Sequence, residues 1–442
     1  MIFPIRFILI SFFIFNNLIL LSAEVQVLDL KEVIKIAKEN NPTLMVAKEK
    51  LNQYDAQKKL VFSPLYPNLT WNLGGVYLKD AVYTGNPKFN GDPYNQYSSD
   101  LKLVQPLYAK GLISALTVAD YDKKIQTAKI ELEERTLTQN IIESFYSFIL
   151  YQENLENLLK NQEIIQRALS TSNERYQKGR GQYLDVLQVK TQLALIGPQV
   201  QQAKNQYEIA AQQLINFMGE KEHPNLRLKG QLKILHLLDV QKQIDLARFQ
   251  LPEYDINQMQ LAQLNYTRDV TLGKDYPTLK LIGDYLYNNY KKSDLFSDYS
   301  HAWSIQLQLS IPLFSGFSSS QESAILASQD YQLKIARRDL ENALSLKQIV
   351  SLKNLATEEN SLVSAESAVK LASQSQAEAS RIYKLSQIDF LQFLSVQQAA
   401  LQAQSSFNLL KYQSIVAYSN YFVATGQPLL KLVEILTKEG TL

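Results

Sequence analysis

Trp303-Ser304-Ile305-Gln306-Leu307-Gln308-Leu309-Ser310-Ile311-Pro312-Leu313-Phe314-Ser315-Gly316 is the stretch on which the fold turns. Apolar and polar residues alternate over its first nine positions, the period of a β-strand with one apolar and one polar face. At about ten residues it has the length that crosses a bilayer when tilted. It closes on Pro-Leu-aromatic, with a glycine two residues on. The same ending occurs once more, at Pro106-Leu107-Tyr108 followed by Gly111, 206 residues earlier.

Other pairs fall at nearly the same separation. Pro42 and Pro252 lie 210 residues apart, as do Tyr66-Pro67 and Tyr276-Pro277. Tyr176 with Leu184 and Leu187 matches Tyr383 with Leu391 and Leu394 at 207, and Phe217-Met218-Gly219 matches Ala424-Thr425-Gly426 at 207. Matches in one order at near-constant separation indicate a tandem repeat of roughly two hundred residues. Each repeat is expected to hold a helical segment (about 28–63 and 238–272), two strands around a polar loop, a very long helix (about 110–177 and 317–384), a short break, and a second long helix (about 183–217 and 390–424). The expected division is a leader over 1–23, a first repeat over 24–219, a linker over 220–237, a second repeat over 238–426 and a C-terminal segment over 427–442.

The helices are read from periodicity. Ile141, Phe145, Phe148, Ile149, Leu155, Leu158 and Leu159 recur mostly at three- and four-residue spacing, and no proline interrupts 107–197. Ser319-Ser320-Gln321-Glu322 offers a capping box for the helix near 317. A helix of ~68 residues is about 100 Å long, which points to a coiled-coil-like array rather than a compact domain. Further strands are read at Leu69-Thr70-Trp71-Asn72-Leu73 and from Leu279 through Tyr285 and Tyr287, with polar loops over Lys79–Asp100 and Asn288–Ser300. Lys280, Asp284, Gln306 and Gln308 fall on the polar strand faces; cross-strand pairing is the simplest role for Lys280 and Asp284, lining an aqueous lumen the other.

Composition narrows the function classes. The chain has 442 residues, 46% hydrophobic, and a net charge of +2 with Lys and Arg dispersed along its length. It lacks the concentrated basic face of a nucleic-acid binder. Cysteine is absent, and the 3 histidines (His223, His236, His301) lie in separate segments, so no zinc site, cofactor site or catalytic set is expected. Gly179-Arg180-Gly181 lacks the flanking strand and Lys-Ser/Thr of a phosphate-binding loop and reads as a turn. Asn68-Leu69-Thr70 and Asn265-Tyr266-Thr267 match glycosylation sequons, a pattern that often arises by chance. Residues 1–23 read as a signal peptide: Arg6, an apolar run from Phe7, and Ser22-Ala23 before Glu24. A lone transmembrane anchor is disfavoured because Asn16-Asn17 shorten the apolar run.

If the mature chain spans a membrane it does so as strands, and the open edges of four strands cannot sit in lipid. Eight strands from two copies make a barrel filled by its own side chains, whereas twelve from three copies leave a lumen.

At this point the chain resembles the TolC-like outer-membrane efflux proteins. The duplication carries the resemblance, with the Pro-Leu-aromatic strand ends and the segment Arg175-Tyr176-Gln177-Lys178-Gly179 through Leu184-Asp185-Val186-Leu187. The resemblance implies a mainly α fold with a membrane β-barrel: a homotrimer with a twelve-stranded barrel in outer-membrane lipid and a helical tunnel across the periplasm of a Gram-negative bacterium. It implies a passive exit duct for efflux or type I secretion, docked to an inner-membrane pump through a periplasmic adaptor, with no catalytic residues. The breaks at Lys178–Tyr183 and Leu385–Asp389 become the periplasmic tip, with Gly179, Arg180, Asp185, Ser386, Asp389 and Gln392 as gate candidates. Ser386 stands where the first repeat has Gly179, and Gln392 where family members carry an acidic residue, which leaves Asp185 and Asp389 as the acidic candidates. The competing role for these residues is that of solvated turn and cap positions. The rival to a duct is a periplasmic coiled-coil scaffold without channel activity.

Overall fold

The structure is a computed structural model that describes residues 27–79, 93–220, 226–235, 251–298, 301–385 and 387–438. The leader read at 1–23, His223, His236 and Ser386 lie outside these residues.

Two very long helical hairpins dominate. In the first, α3 (Lys110–Gln177) turns into α4 (Tyr183–Met218). In the second, α6 (Ser318–Lys384) turns into α7 (Phe390–Ala424). α3 has 68 residues and α6 has 67, each about 100 Å long at ~1.5 Å per residue. α4 ends at Gly219, whose φ of +77° provides the left-handed cap. No described helix is long and apolar enough to cross a membrane.

The segment read as one helix over 28–63 is instead a short strand β1 (Val27–Leu28), α1 (Leu30–Asn40) and α2 (Pro42–Phe62). The break is local chemistry: a residue before proline avoids the helical region, and Asn41 sits at φ −63°, ψ 123°. Its Oδ1 then accepts from the Thr43 and Leu44 amides, so the residue that stops α1 starts α2. The counterpart in the second half is α5 (Pro252–Gly273); the expected stretch before it, 238–250, lies outside the described residues. The capping box expected at Ser319-Ser320-Gln321-Glu322 does not form. α6 begins at Ser318, which places Ser319 inside the helix, and its hydroxyl donates to Asp275 Oδ1 at 2.7 Å.

β2 (Asn68–Leu78), β3 (Tyr94–Tyr108), β5 (Thr278–Asn289) and β6 (His301–Ser310) form one antiparallel sheet in the order β2-β3-β5-β6. β3 starts six residues before the expected loop end at Asp100, because Tyr94 through Ser99 pair with β2. A two-residue strand β4 (Arg227–Leu228) pairs in parallel with β1.

The main core lies midway along the hairpins. Ile141, Phe145, Tyr146 and Phe148 of α3 pack with Leu214 and Met218 of α4, Tyr418 and Phe422 of α7, and Leu432 and Val433 of α8 (Leu429–Thr437). Arg135 binds α7 and the C-terminal segment here. Its Nη2 donates to the carbonyls of Phe422 (2.9 Å), Val423 (3.1 Å) and Gln427 (3.3 Å). Burial lowers the guanidinium pKa, and Glu253 and Glu131 oppose that shift.

Candidate functional site

Two regions carry the expected functional residues: the sheet, and the turns at the far end of the hairpins. The register sorts the sheet into faces. Leu69, Leu103, Gly283 and Ile305 lie in one cross-strand row, and Trp71, Leu101, Tyr285 and Trp303 in the next. On the opposite face Thr70, Lys102, Asp284 and Ser304 form a row, and Lys280 lies between Pro106 and Gln308. Gln306 is opposite Ile282 on that same face. Lys102 Nζ lies 3.9 Å from Asp284 Oδ1, so Asp284 has the cross-strand partner expected of it, though on β3. Lys280 is exposed.

The apolar face is bare: Trp303 is 70% and Ile305 72% exposed. β2 and β6 are both edges. Among the described residues, therefore, nothing covers the apolar face and nothing pairs the outer strands, a condition that aqueous sheets avoid.

The tip is built from two unlike turns. After α3, the amides of Gly179 and Arg180 return to the carbonyls of Tyr176 (3.0 Å) and Arg175 (2.8 Å), with Gly179 at φ +68°. Space is tight at Gly181, where a Cβ would lie 3.0 Å from Arg175 Cβ. Glu174 and Lys178 pair across one helical turn, and that hydrogen bond holds the Glu174 carboxyl below its ordinary range. After α6, Leu385 N donates to Arg381 O at 3.3 Å and Gln387 N to Ile382 O at 3.0 Å.

A groove of about 530 Å³ runs between these turns, and Arg180, Asp185, Asp389 and Gln392 all line it. The structure thus gathers four of the tip candidates. Gly179 sits in the adjoining turn. Asp389 has an assigned structural task, since its Oδ1 accepts from Gln392 N at 2.7 Å and caps α7. Asp185 stands in the first turn of α4, where a carboxylate complements the helix dipole. Among the described residues no ion pair joins Arg180 to either aspartate.

A contact that ties the tip helices together was not among the candidates. Arg175 Nη2 of α3 donates to the carbonyls of Tyr383 (2.5 Å) and Lys384 (3.3 Å) at the end of α6, with its guanidinium 4.9 Å from the Tyr383 ring. Tyr383 stacks on Phe393 of α7 (4.5 Å, 11°), and its hydroxyl lies 3.1 Å from Ser172 Oγ of α3. One arginine and one tyrosine tie three helices together, above a second apolar cluster that includes Ile165, Val189, Ala379 and Phe390. The repeat conceals this pairing: Tyr176 and Tyr383 correspond, but Tyr176 is exposed and Tyr383 buried, and Ile382 stands where Arg175 would recur.

Among the described residues no group of three or more His, Cys, Asp or Glu is placed to hold a metal ion.

Residues 33–220 match the family described as outer membrane efflux protein. Outer membrane protein TolC of Escherichia coli (strain K12) is 27% identical over 248 residues, 50% of this chain and 48% of TolC. Protein CyaE of Bordetella pertussis is 23% identical over 296 residues, 66% of this chain and 61% of CyaE. The chain thus spans about half the length of the first of these relatives in the match. The fold is that of the Campylobacter jejuni CmeC outer membrane channel, with a TM-score of 0.78 at 18% identity over 92% of this chain and 89% of that one.

Proposed function

We propose that this chain, a relative of the TolC-like outer-membrane efflux proteins, is one protomer of an outer-membrane exit duct serving a tripartite efflux or type I secretion system. The carrying observation is the sheet, with one face apolar and bare, the other polar, and both edges unpaired. Lipid satisfies such a face, and only closure into a barrel satisfies such edges. Three copies close a twelve-stranded barrel with room for passage. Lys280, Asp284, Gln306 and Gln308 then face the lumen. The hairpins extend the lumen through the periplasm, and the two similar halves of the chain act as two structural repeats, with the described parts of 220–237 and 427–442 around the waist of the tunnel. Residues 1–23 direct export.

In this reading the duct performs no chemistry. Its tip, with Gly179, Arg180, Asp185, Ser386, Asp389 and Gln392, meets a periplasmic adaptor linked to an inner-membrane pump. Opening is an iris-like loosening of the helices, resisted by the Arg175–Tyr383 contact. The test is fractionation of the chain expressed with its own N-terminal segment, followed by cross-linking and electrophoresis with and without heating. The expected product is a detergent-requiring, heat-modifiable trimer in the outer membrane that conducts ions in a planar bilayer. A detergent-free soluble monomer or dimer overturns the duct and leaves the coiled-coil scaffold.

A further inference from the structure

Among the described residues, the polar face of the sheet carries four charged side chains, and the strand register spaces them along the strands. Lys280 is nearest the helices, in the row with Pro106 and Gln308, neither of them charged. Four residues further along β5, Asp284 lies opposite Lys102, and their charges meet at 3.9 Å. One row beyond, Asp100 lies opposite Leu286 and accepts from Asn72 Nδ2 at 3.3 Å. The middle pair cancels, which leaves one cation at the helix end and one carboxylate at the far end. Charges at the junction with the helices have other occupations. Lys274 pairs with Glu322 at 2.6 Å, Asp275 accepts from Ser319 and Ser315, and Lys110 Nζ sits 3.3 Å from the centre of the Tyr276 ring.

The sheet shelters the face that bears these charges. On β5 alone, Ile282 of the polar face is 8% exposed, against 36% for Leu281 and 40% for Tyr285 of the apolar face. A sheet curled toward its polar side has this asymmetry. From Lys280 to Leu286 is six residues along β5. At ~3.4 Å per residue that is about 20 Å along the strand, and about 15 Å along the axis of a barrel whose strands tilt by ~40°. Fixed charges act over a Debye length of about 10 Å at 0.1 M salt. The two ends are therefore far enough apart to hold separate potentials. Twelve strands at a spacing of ~4.8 Å close at a radius of about 12 Å to the backbone, so inward side chains leave no part of the lumen much beyond one Debye length from a charge.

We propose that the barrel lumen carries an axial charge gradient, with a cationic ring of Lys280 from three copies where the tunnel enters and an anionic ring of Asp100 toward the outer mouth, so that anionic solutes concentrate at the tunnel side and cations at the exterior side. The proposal rests on the reading of the sheet as one third of a twelve-stranded barrel. Threefold symmetry places the three copies of each residue at one level, and rings of one sign select charge. Lys102 and Asp284 separate the rings with a neutral zone. The gradient does no work; it fixes which sign of solute is enriched at each end of the barrel.

The chain has no cysteine, so a single introduced thiol reports its own surroundings. Gln308→Cys places one opposite Lys280, and Leu286→Cys places one opposite Asp100. Each full-length variant, as a trimer in phosphatidylcholine vesicles, is treated with two methanethiosulfonates of similar size, one bearing a sulfonate and one a trimethylammonium group. The ratio of the two rates reads the local potential, because the thiolate fraction is common to both reagents. In 0.1 M salt Gln308→Cys is expected to favour the anionic reagent, and Leu286→Cys the cationic one, each by at least about threefold. Both preferences are expected to shrink toward one in 1 M salt, where the Debye length is about 3 Å. Adding Lys280→Gln to the first variant and Asp100→Asn to the second is expected to remove the preference of each. Equal ratios at the two positions in a heat-modifiable trimer overturn the gradient alone, as does a preference that survives the added substitution. Absence of a heat-modifiable trimer overturns the duct reading and the gradient with it. A trimer in which neither thiol reacts with either reagent shows a polar face without water, and also overturns both.

Discussion

The middle of the hairpins and the sheet are built from similar amounts of Leu, Ile and aromatic residue, yet they end in opposite conditions. In the middle, Ile141, Phe145 and Phe148 of α3 find partners on α1, α4, α7 and α8, and all are buried. In the sheet, Trp71, Ile305 and Leu307 find neighbours only within their own layer and stay exposed. A helix buries a stripe against another helix of its own chain, whereas a single sheet layer buries neither face until something lies on it. The first region is finished by the chain alone; in the second, nothing among the described residues lies on the apolar face.

That contrast sets the largest expected effect. Phe145→Ala removes a fully buried ring and is expected to cost about 3–5 kcal/mol, read as a lower urea midpoint of the helical signal. Ile305→Ala is expected to move the same signal by no more than about 0.5 kcal/mol, because its side chain is already exposed in the protomer. Comparable losses at both sites would mean that the sheet, too, is packed within the chain.

The tip lies between these extremes, closed within the chain but by few contacts. Arg175→Ala is expected to cost about 1.5–3 kcal/mol of local stability by orphaning the end of α6. Faster amide exchange confined to 172–190 and 380–393, with the urea midpoint of the main core unchanged, would show it. Exchange spread over the whole hairpin would make the tip and middle one cooperative unit.

Asp389→Ala is expected to cost about 1 kcal/mol through loss of the α7 cap, and Asp389→Asn to recover most of it. If ion selectivity in bilayers changes with Asn as well as with Ala, the charge itself matters for passage; if it changes with neither, Asp389 is a cap.

The smallest expected effect is a pH slope within the middle region. Lys411 of α7 lies 3.8 Å from Glu153 of α3, and burial lowers the pKa of the first and raises that of the second. A carboxyl whose folded pKa is raised favours folding in its protonated form. Its contribution is complete below the ordinary value of about 4.3 and is lost as pH rises through the folded value. Lys411 stays charged in unfolded chains across that window. The parent is therefore expected to lose stability relative to Glu153→Gln as pH rises from about 4 toward 7, a difference that matched urea titrations would register. A parallel pH dependence of the two proteins would show that Glu153 is not desolvated.

The long helices were legible because the breaks between them are chemical: Gly179 and Gly181 after α3, and Gly219 after α4. The division at Asn41-Pro42 was present in the residues but masked by an apolar period that runs across it. The capping box at Ser319 failed because Phe317 takes a left-handed conformation and starts α6 early, a choice that local propensity disfavours. It was the family resemblance that put Asp185, Asp389, Arg180 and Gln392 together at one tip, and the four do line one groove. Arg175 and Tyr383 could not be paired, since the two belong to different repeats and only packing brings α3 against the end of α6.

The residues alone fix the long helices and the faces of the strands, because period, breakers and alternation act over a few residues at a time. Packing between distant parts of the chain settles which tyrosine of an equivalent pair is buried, which aspartate serves as a cap and which apolar side chains remain bare. Those outcomes depend on contacts between residues hundreds of positions apart, and no local pattern encodes which of two similar helices will lie across a given side chain.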